Sequence, residues 1–291
     1  MSLAVANEES AAPSVRPLSS AMGAEIRGVD LSRPLDDAAF GVIHQAFLDY
    51  SLLYFPDQDL TPEEELAFAR RFGSPEVHPI VEGTDEYPDV IRIHKPANHG
   101  AFFGLGWHTD NTFFEAPSLG TMLHSKVVPP YGGDTLFCSM AKAYDHLSDG
   151  MKDLLSSLVA VHSARPAYDP AVVGEHKYKG EAPLKYKMSD AVLAEVEHPV
   201  IRTHPESGRK SIFVNPMFTV RFKGMTERES KPLLDFLFEH ATQPEFCCRL
   251  AWQAGAVAMW DNRCTMHYAM DDYFAYERIM YRVTIAGDRP Y

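Results

Sequence analysis

The sequence has few cysteines and no long apolar run. Four cysteines occur among 291 residues, and none has the spacing of a metal-binding finger. We therefore expect reduced core thiols and a cytoplasmic location. No apolar run approaches the roughly 20 residues that a membrane-spanning helix needs. The N-terminal region also lacks the hydrophobic centre of a secretion signal, so the sequence predicts no membrane partner.

The sequence also has fewer basic than acidic residues. Lysine and arginine number 27 against 40 acidic residues, which gives a formal net charge of -13, and no basic run compensates it. This balance argues against nucleic acid or an anionic membrane as a partner. A small anionic substrate is not excluded, but it requires arginines placed locally in a pocket.

Hydrophobic residues make up 45% of the chain, enough to bury one large core. We expect a single domain over residues 1–291, with residues 1–15 as a flexible tail. Residues 165–191 have no clear periodicity and are either an ordinary loop or a lid over the active site. Helical patterns cover Leu35–Tyr50, Ala143–Leu158 and the segments that follow the capping boxes at Thr61 and Thr226.

Short strand patterns dominate the rest of the chain, and a Pro205–Gly208 turn joins two of them as a hairpin. They predict a mainly β fold with flanking helices, arranged as a double-sheet jelly roll. The strand patterns are Thr121–Val127, Thr135–Cys138, His198–Thr203, Ser211–Asn215, Cys247–Trp252, Val257–Trp260 and Tyr281–Ile285.

The segment Trp107–Asp110 holds a candidate metal site together with the distant His267. In an extended strand, side chains two residues apart point the same way, so His108 and Asp110 would share a face. Two imidazoles and one carboxylate on neighbouring strands can cap one face of an octahedral metal and leave the other open. This is the ligand set of non-haem Fe(II) oxygenases. The alternative is a surface strand with two polar residues.

A strand pattern after His267 carries two arginines on one face. Alternation places Arg278, Met280, Arg282 and Thr284 opposite an apolar row. Two such arginines are often solvated. Here the strand follows closely on a candidate metal ligand, which favours a pair of anion receptors inside a barrel.

These motifs together resemble the taurine dioxygenase (TauD/TfdA) family of Fe(II)- and 2-oxoglutarate-dependent oxygenases. The resemblance covers nearly the whole chain and implies a double-stranded β-helix, a jelly roll of the cupin type. The matching segments are Gly23–Leu31, Phe72-Gly73, Trp107–Phe113, Gly132–Thr135, Trp260–Arg263, His267, Arg278, Arg282 and Gly287-Asp288.

The resemblance implies a role for several residues in co-substrate binding. His108, Asp110 and His267 would hold Fe(II), and the remaining positions on the metal would take 2-oxoglutarate and O2. Arg278 and Thr135 match the family positions that bind the far carboxylate of 2-oxoglutarate. Trp260 resembles a packing position of the family.

The resemblance also suggests an anion site for the organic substrate, formed by His78, the backbone amide of Asn111 and Arg282. Protonation of His78 below neutrality would then tighten anion binding. Val81 replaces a tyrosine of the taurine-cleaving members, and Phe103-Gly104 replace polar residues there. A pocket without those polar groups should reject an amine such as taurine.

The substrate is thus expected to be a small organic acid with an apolar, aryloxyalkanoate-like body, or a sulfonate. The segments Gly224–Leu234 and Cys264–His267 resemble the phenoxypropionate-herbicide dioxygenases of the family. Candidate walls for the apolar body are Phe102, Phe103, Phe113 and Phe218.

The expected reaction is hydroxylation with release of succinate and CO2 by a homo-oligomer, either a dimer or a tetramer. Two other classes stay open from the sequence. A zinc metallohydrolase could use the same three ligands, and a jelly-roll binding protein would need no chemistry at all.

Overall fold

The computed structural model describes residues 12–100, 104, 106–173, 184–187 and 189–291. Strands outnumber helices in this part of the chain. The strands are β1 Ser14–Pro17, β2 Ala24–Arg27, β3 Leu52–Phe55, β4 Val90–Lys95, β5 Gly120–Val127, β6 Thr135–Ser139, β7 Val159–Ser163, β8 Glu195–Pro199, β9 Ile201–Thr203, β10 Lys210–Ile212, β11 Thr219–Phe222, β12 Cys247–Leu250, β13 Val257–Asp261, β14 Thr265–Ala269 and β15 Arg278–Ile285.

The helices of the described residues are mostly short, and none is long and apolar enough to cross a membrane. They are α1 Asp37–Tyr50, α2 Pro62–Ala69, α3 Met140–Asp145, α4 Asp149–Ser156, α5 Arg165–Tyr168, α6 Pro170–Val173 and α7 Glu227–Ala241. Capping boxes at Thr61 and Thr226 begin α2 and α7, as the sequence predicted. Each box satisfies backbone N–H groups that have no partner inside the helix.

Two sheets face each other across an apolar core. The larger has the strand order β1-β2-β3-β13-β5-β15-β4, and the smaller has the order β12-β6-β14. Leu123, Trp260 and Met280 of the large sheet pack against Phe137 and Leu250 of the small sheet. This arrangement agrees with the predicted mainly β jelly roll with flanking helices.

Helices cover the outer face of the large sheet. Phe47 of α1 and Phe68 of α2 belong to a second buried cluster with Met259, Val283 and Ile285. The alternation predicted for β15 is therefore present. Val283 and Ile285 point outward to the helices, while Arg278 and Arg282 line a cleft between the sheets.

Several predicted elements differ in detail from the structure. The single helix expected over Ala143–Leu158 is two helices, because Ser148 caps a new helix through the backbone N–H of Met151. The strand expected over His198–Thr203 is divided into β8 and β9. The turn before Lys210 does join a hairpin, since β9 pairs with β10.

The predicted flexible tail extends too far. Ser14 and Val15 belong to β1 and pair with Arg27 and Ile26 of β2, so the backbone there is hydrogen-bonded. Residues 1–11 lie outside the described residues. The single-domain prediction stays a prediction.

Candidate metal centre and active site

The two histidines of the predicted metal site lie directly opposite each other. The backbone N–H of His108 donates to the His267 carbonyl over 3.0 Å, and the reciprocal bond measures 2.8 Å. The Thr109 hydroxyl adds a bond to the Thr265 carbonyl. These contacts explain how a short segment meets a partner far along the chain.

The expected strand through His108 and Asp110 is wrong. His108 forms an isolated bridge, and a turn begins at Asp110, with Asn111 at φ 55°. Asparagine tolerates this left-handed conformation better than most residues. The chain therefore leaves the bridge at His108 and enters a turn at Asp110, and the two side chains still lie close together.

The three side chains converge on one point. The Asp110 Oδ1 atom lies 3.8 Å from Nε2 of His108 and 3.8 Å from Nε2 of His267. The Nδ1 atom of His108 is 2.9 Å from the Gly106 carbonyl, which can only accept, so this nitrogen carries the proton. The lone pair on Nε2 is then directed at the shared point. Two nitrogens and one carboxylate oxygen form a donor set that fits Fe(II).

Charges around the site keep the Asp110 carboxylate ionised. Burial is the largest single influence and would raise its pKa, but the Arg282 guanidinium, with Nη2 2.9 Å from Oδ1, the two imidazoles and the Thr121 hydroxyl together outweigh burial and hold the pKa well below its usual range. Burial lowers the pKa values of His108 and His267, so both imidazoles are neutral near pH 7. A neutral imidazole and a carboxylate are the forms that bind a metal.

A second group of residues lies at the other end of the same cleft. Arg278 and Thr135 line it together with the metal trio. The Arg278 guanidinium lies 5.8 Å from the ring centroids of both Trp252 and Tyr273. The Trp252 indole N–H donates to the Thr135 hydroxyl over 3.0 Å. The two predicted co-substrate residues are thus held by an aromatic frame.

Lys95 supports this frame from β4. Its buried ammonium donates to the carbonyls of Tyr273, Phe274 and Tyr276 over 3.0, 2.6 and 2.8 Å. Those bonds fix the loop that carries Tyr273 beside Arg278.

Both arginines have buried nitrogen atoms that make no hydrogen bond to a described residue. In Arg278 and in Arg282, Nε and Nη2 have no well-directed hydrogen bond to any described residue. The close Arg282–Asp110 contact is therefore ionic, with poor hydrogen-bond geometry. Buried donors of this kind are costly unless a ligand supplies an acceptor. Both arginines line a cleft that is partly open to solvent, so a ligand could reach them.

His78 and Asn111 form a buried pair beside the metal site. The Nδ1 atom of His78 accepts bonds from the backbone N–H groups of Ile80 and Val81, so Nε2 carries the proton and donates to Asn111 Oδ1 over 2.9 Å. Burial lowers the pKa of His78 to about 4. The structure thus gives no support to the expectation that protonation of His78 just below neutrality tightens anion binding.

Aromatic rings form one side of the site. Phe218 lies edge-on to His108, with ring centroids 6.4 Å apart, and packs against Phe113 and Tyr168. Val81 is also buried nearby, and it bridges to Tyr186. Phe102 and Phe103 lie outside the described residues. Within the possible lid, residues 174–183 and 188 also lie outside them.

The groups of a second potential metal-ligand cluster are already hydrogen-bonded to other side chains of the protein. His204, Asp261 and Cys264 offer atoms within 4.8 Å of one another. However, the Asp261 carboxylate accepts bonds from Arg263 Nε, Arg263 Nη2 and His204 Nε2. Both of its oxygens are therefore engaged, and the cluster is a structural ion pair.

Several supporting residues of the site were not predicted from the sequence. Thr121, Asn262, Trp252, Tyr273 and Lys95 reach the site from different strands and loops. A lysine at the end of a β-branched strand pattern was the nearest available hint of Lys95, and the Trp-Asp-Asn-Arg motif the nearest hint of Asn262.

Comparison with known proteins agrees with this geometry. The family model described as taurine catabolism dioxygenase TauD, TfdA family matches residues 14–284. A sulfate ester dioxygenase of Pseudomonas putida, named as alpha-ketoglutarate-dependent, is 37% identical over 284 residues, which cover 95% of this chain and 90% of that protein. An (S)-phenoxypropionate/alpha-ketoglutarate dioxygenase of Sphingobium herbicidovorans is 34% identical, covering 94% of this chain and 95% of that protein.

The fold comparison points the same way. The crystal structure of AAD-2 in complex with Mn(II) and N-oxalylglycine superposes with a TM-score of 0.77 at 31% identity, covering 96% of this chain and 98% of that one. The predicted fold class is confirmed. The chain belongs to the TauD/TfdA family of dioxygenases.

Proposed function

We propose that this protein is an Fe(II)- and 2-oxoglutarate-dependent dioxygenase that hydroxylates a small anionic organic substrate. One observation carries the proposal: a single cleft contains a two-histidine, one-carboxylate trio and two buried arginines whose Nε and Nη2 atoms make no hydrogen bond to a described residue. Such a cleft has a place for a metal and for two anions. Relatives named for their dependence on alpha-ketoglutarate support the choice of oxo acid.

His108, Asp110 and His267 would hold Fe(II), and the bound metal would supply the activation of O2. Arg278 would bind the far carboxylate of 2-oxoglutarate through Nε and Nη2, in the fork geometry that guanidinium favours. The Thr135 hydroxyl, positioned by Trp252, would assist it. In the overall reaction one oxygen atom of O2 enters the substrate C–H bond and the other enters succinate, with loss of CO2.

The substrate end of the cleft would take a second anion. Arg282 would bind its acid group, with His78 and the backbone amide of Asn111 beside it. Phe218 and Phe113 would contact an apolar body. The relatives are named for sulfate esters and phenoxypropionates, which both combine an acid group with an apolar part. We propose an organic sulfate, sulfonate or aryloxyalkanoate, and rejection of taurine.

Anaerobic titration tests the reaction class. Adding Fe(II) and then 2-oxoglutarate should develop a weak visible charge-transfer band, and a zinc hydrolase or a non-catalytic binding protein should show none. Succinate release should then be measured with a panel of alkyl sulfates, sulfonates and aryloxyalkanoates. A protein that binds Fe(II) but produces succinate with none of these would refute the substrate proposal alone.

We further propose a cytoplasmic homo-oligomer, a dimer or a tetramer. The four cysteines are all free, which suits a reducing compartment. Light scattering coupled to size-exclusion chromatography would test the assembly, and a monomer would refute it.

A further inference from the structure

A chain of buried hydrogen bonds ends on the metal-binding carboxylate. The Trp260 indole donates to Asn262 Oδ1 over 3.0 Å, and Asn262 Nδ2 donates to Thr121 Oγ1 over 3.0 Å. The Thr121 hydroxyl donates to Asp110 Oδ2 over 2.7 Å. All four side chains are nearly inaccessible to solvent.

The indole fixes the direction of every bond in the chain. An indole N–H can only donate, so the Asn262 amide must present its oxygen to Trp260 and its Nδ2 to Thr121. The hydroxyl oxygen of Thr121 then accepts, and its own proton is left for Asp110. The fold therefore imposes the hydrogen bond from the Thr121 hydroxyl to the Asp110 carboxylate. A hydroxyl without the Asn262 donor could rotate its proton elsewhere.

This bond separates the two oxygens of Asp110. Oδ2 is held by Thr121, while Oδ1, which also lies 2.9 Å from Arg282 Nη2, is equidistant from the two imidazoles. Without the Thr121 bond the carboxylate could rotate and carry Oδ1 away from the point that the two imidazoles share. The metal would then lose its carboxylate ligand or bind it in a poorer geometry.

We propose that Thr121 is a positioning residue that holds the Asp110 carboxylate with Oδ1 directed at the point between the two imidazoles, with Asn262 and Trp260 setting the direction of its hydroxyl. The inference rests on the proposed metal site. Hydrogen-bond partners behind metal ligands typically contribute 10- to 100-fold to metal affinity. We expect Thr121→Val to lose affinity in that range, because it removes the hydroxyl and keeps the branched shape.

The chain offers a matched control on the adjacent strand. Thr284 pairs with Thr121 across β15 and β5, and its buried hydroxyl has no partner among the described residues. Thr284→Val makes the same chemical change one strand away. It should leave metal affinity unchanged and should not reduce stability.

The experiment is a titration of the full-length protein with Mn(II), in which free Mn(II) is followed by electron paramagnetic resonance. We expect the Kd of Thr121→Val to rise at least tenfold. Thr121→Ser, which keeps the hydroxyl, and Thr284→Val should both stay close to wild type. Asn262→Leu should weaken Mn(II) binding as Thr121→Val does. It replaces Thr121→Val as the test if thermal melting shows that Thr121→Val folds poorly.

The outcomes separate the two hypotheses. Wild-type affinity in Thr121→Val would overturn the positioning role and leave the proposed function standing. Equal losses in Thr121→Val and Thr284→Val would also overturn it, since the effect would then come from packing. No Mn(II) binding by the wild-type protein would overturn the metal site itself, and the inference with it.

Discussion

Arg278 is the residue whose replacement should separate ligand binding from stability. Its side chain is 7% exposed, and burial lowers the pKa of its guanidinium, which shows the cost of the buried charge. Nε and Nη2 have no partner among the described residues. In Arg278→Met the distal carboxylate of 2-oxoglutarate would enter the cleft without its charge partner. The loss should be about 2–5 kcal/mol.

At about 1.4 kcal/mol per tenfold change, this loss corresponds to a rise of roughly 30- to 4,000-fold in the Kd for 2-oxoglutarate. Metal affinity should not change, because Arg278 touches none of the three ligands in the described contacts. The free energy of unfolding of the ligand-free protein should stay the same or increase, since methionine replaces an incompletely paired buried charge.

The assay is a 2-oxoglutarate titration of the Fe(II) protein without O2, followed by the visible band, with urea unfolding of the ligand-free form beside it. Arg202→Met is the matched control. Arg202 is fully buried and lies 2.7 Å from Asp288, outside the cleft, so its replacement removes a buried guanidinium and should leave 2-oxoglutarate binding intact. The reasoning is refuted if Arg278→Met binds 2-oxoglutarate normally, or if only its affinity for the organic substrate falls.

Three further predictions follow from the cleft. Asp110→Ala should abolish substrate-dependent succinate release, and circular dichroism should show that the fold is retained. Full activity of this variant would contradict the assignment of Asp110 as a metal ligand. Arg282→Ala should raise KM for anionic substrates and erase the preference for a free acid over its methyl ester. If the wild-type protein turns over the acid and the ester equally well, the site recognises no anion. The pKa values of His78 and His198 are lowered to about 4 by burial, so the unfolded chain takes up these protons first as pH falls. Stability should be complete above pH 6.5 and decline toward pH 4 by at most about 3 kcal/mol per histidine; equal urea midpoints at pH 7 and pH 4.5 would contradict it.

Much of the site could be predicted because its residues sit in local patterns. His108 and Asp110 share one short motif, and Arg278 and Arg282 share one face of β15. Even there, the expected strand does not continue, since a turn begins at Asp110. The position of a side chain in a turn depends on backbone dihedral angles that hydrophobic periodicity does not reveal.

The supporting residues could not be predicted, since each depends on strand pairing. Thr121 reaches Asp110 because β5 lies between β13 and β15, and Asn262 reaches Thr121 because it directly follows β13. The spacing of residues along the sequence does not reveal this order of strands in the sheet. Helix breaks were missed for a different reason: Ser148 looked like one polar residue in an amphipathic pattern, whereas its hydroxyl caps a new helix.

The cleft also shows how an acidic protein can take anions. The whole chain has a formal net charge of -13, yet the ionised side chains that line the cleft are Lys95, Arg278, Arg282 and Asp110, three cations against one anion. Surface charges are screened within about 8 Å at physiological ionic strength, while partly buried charges are screened much less. The local excess of positive charge therefore outweighs the distant acidic surface for a bound ligand. Because Lys95 is already bonded to three carbonyls, the two arginines are the cations of the cleft that keep donors for ligands. Two such cations, one at each end of the cleft, match one oxo acid and one organic anion.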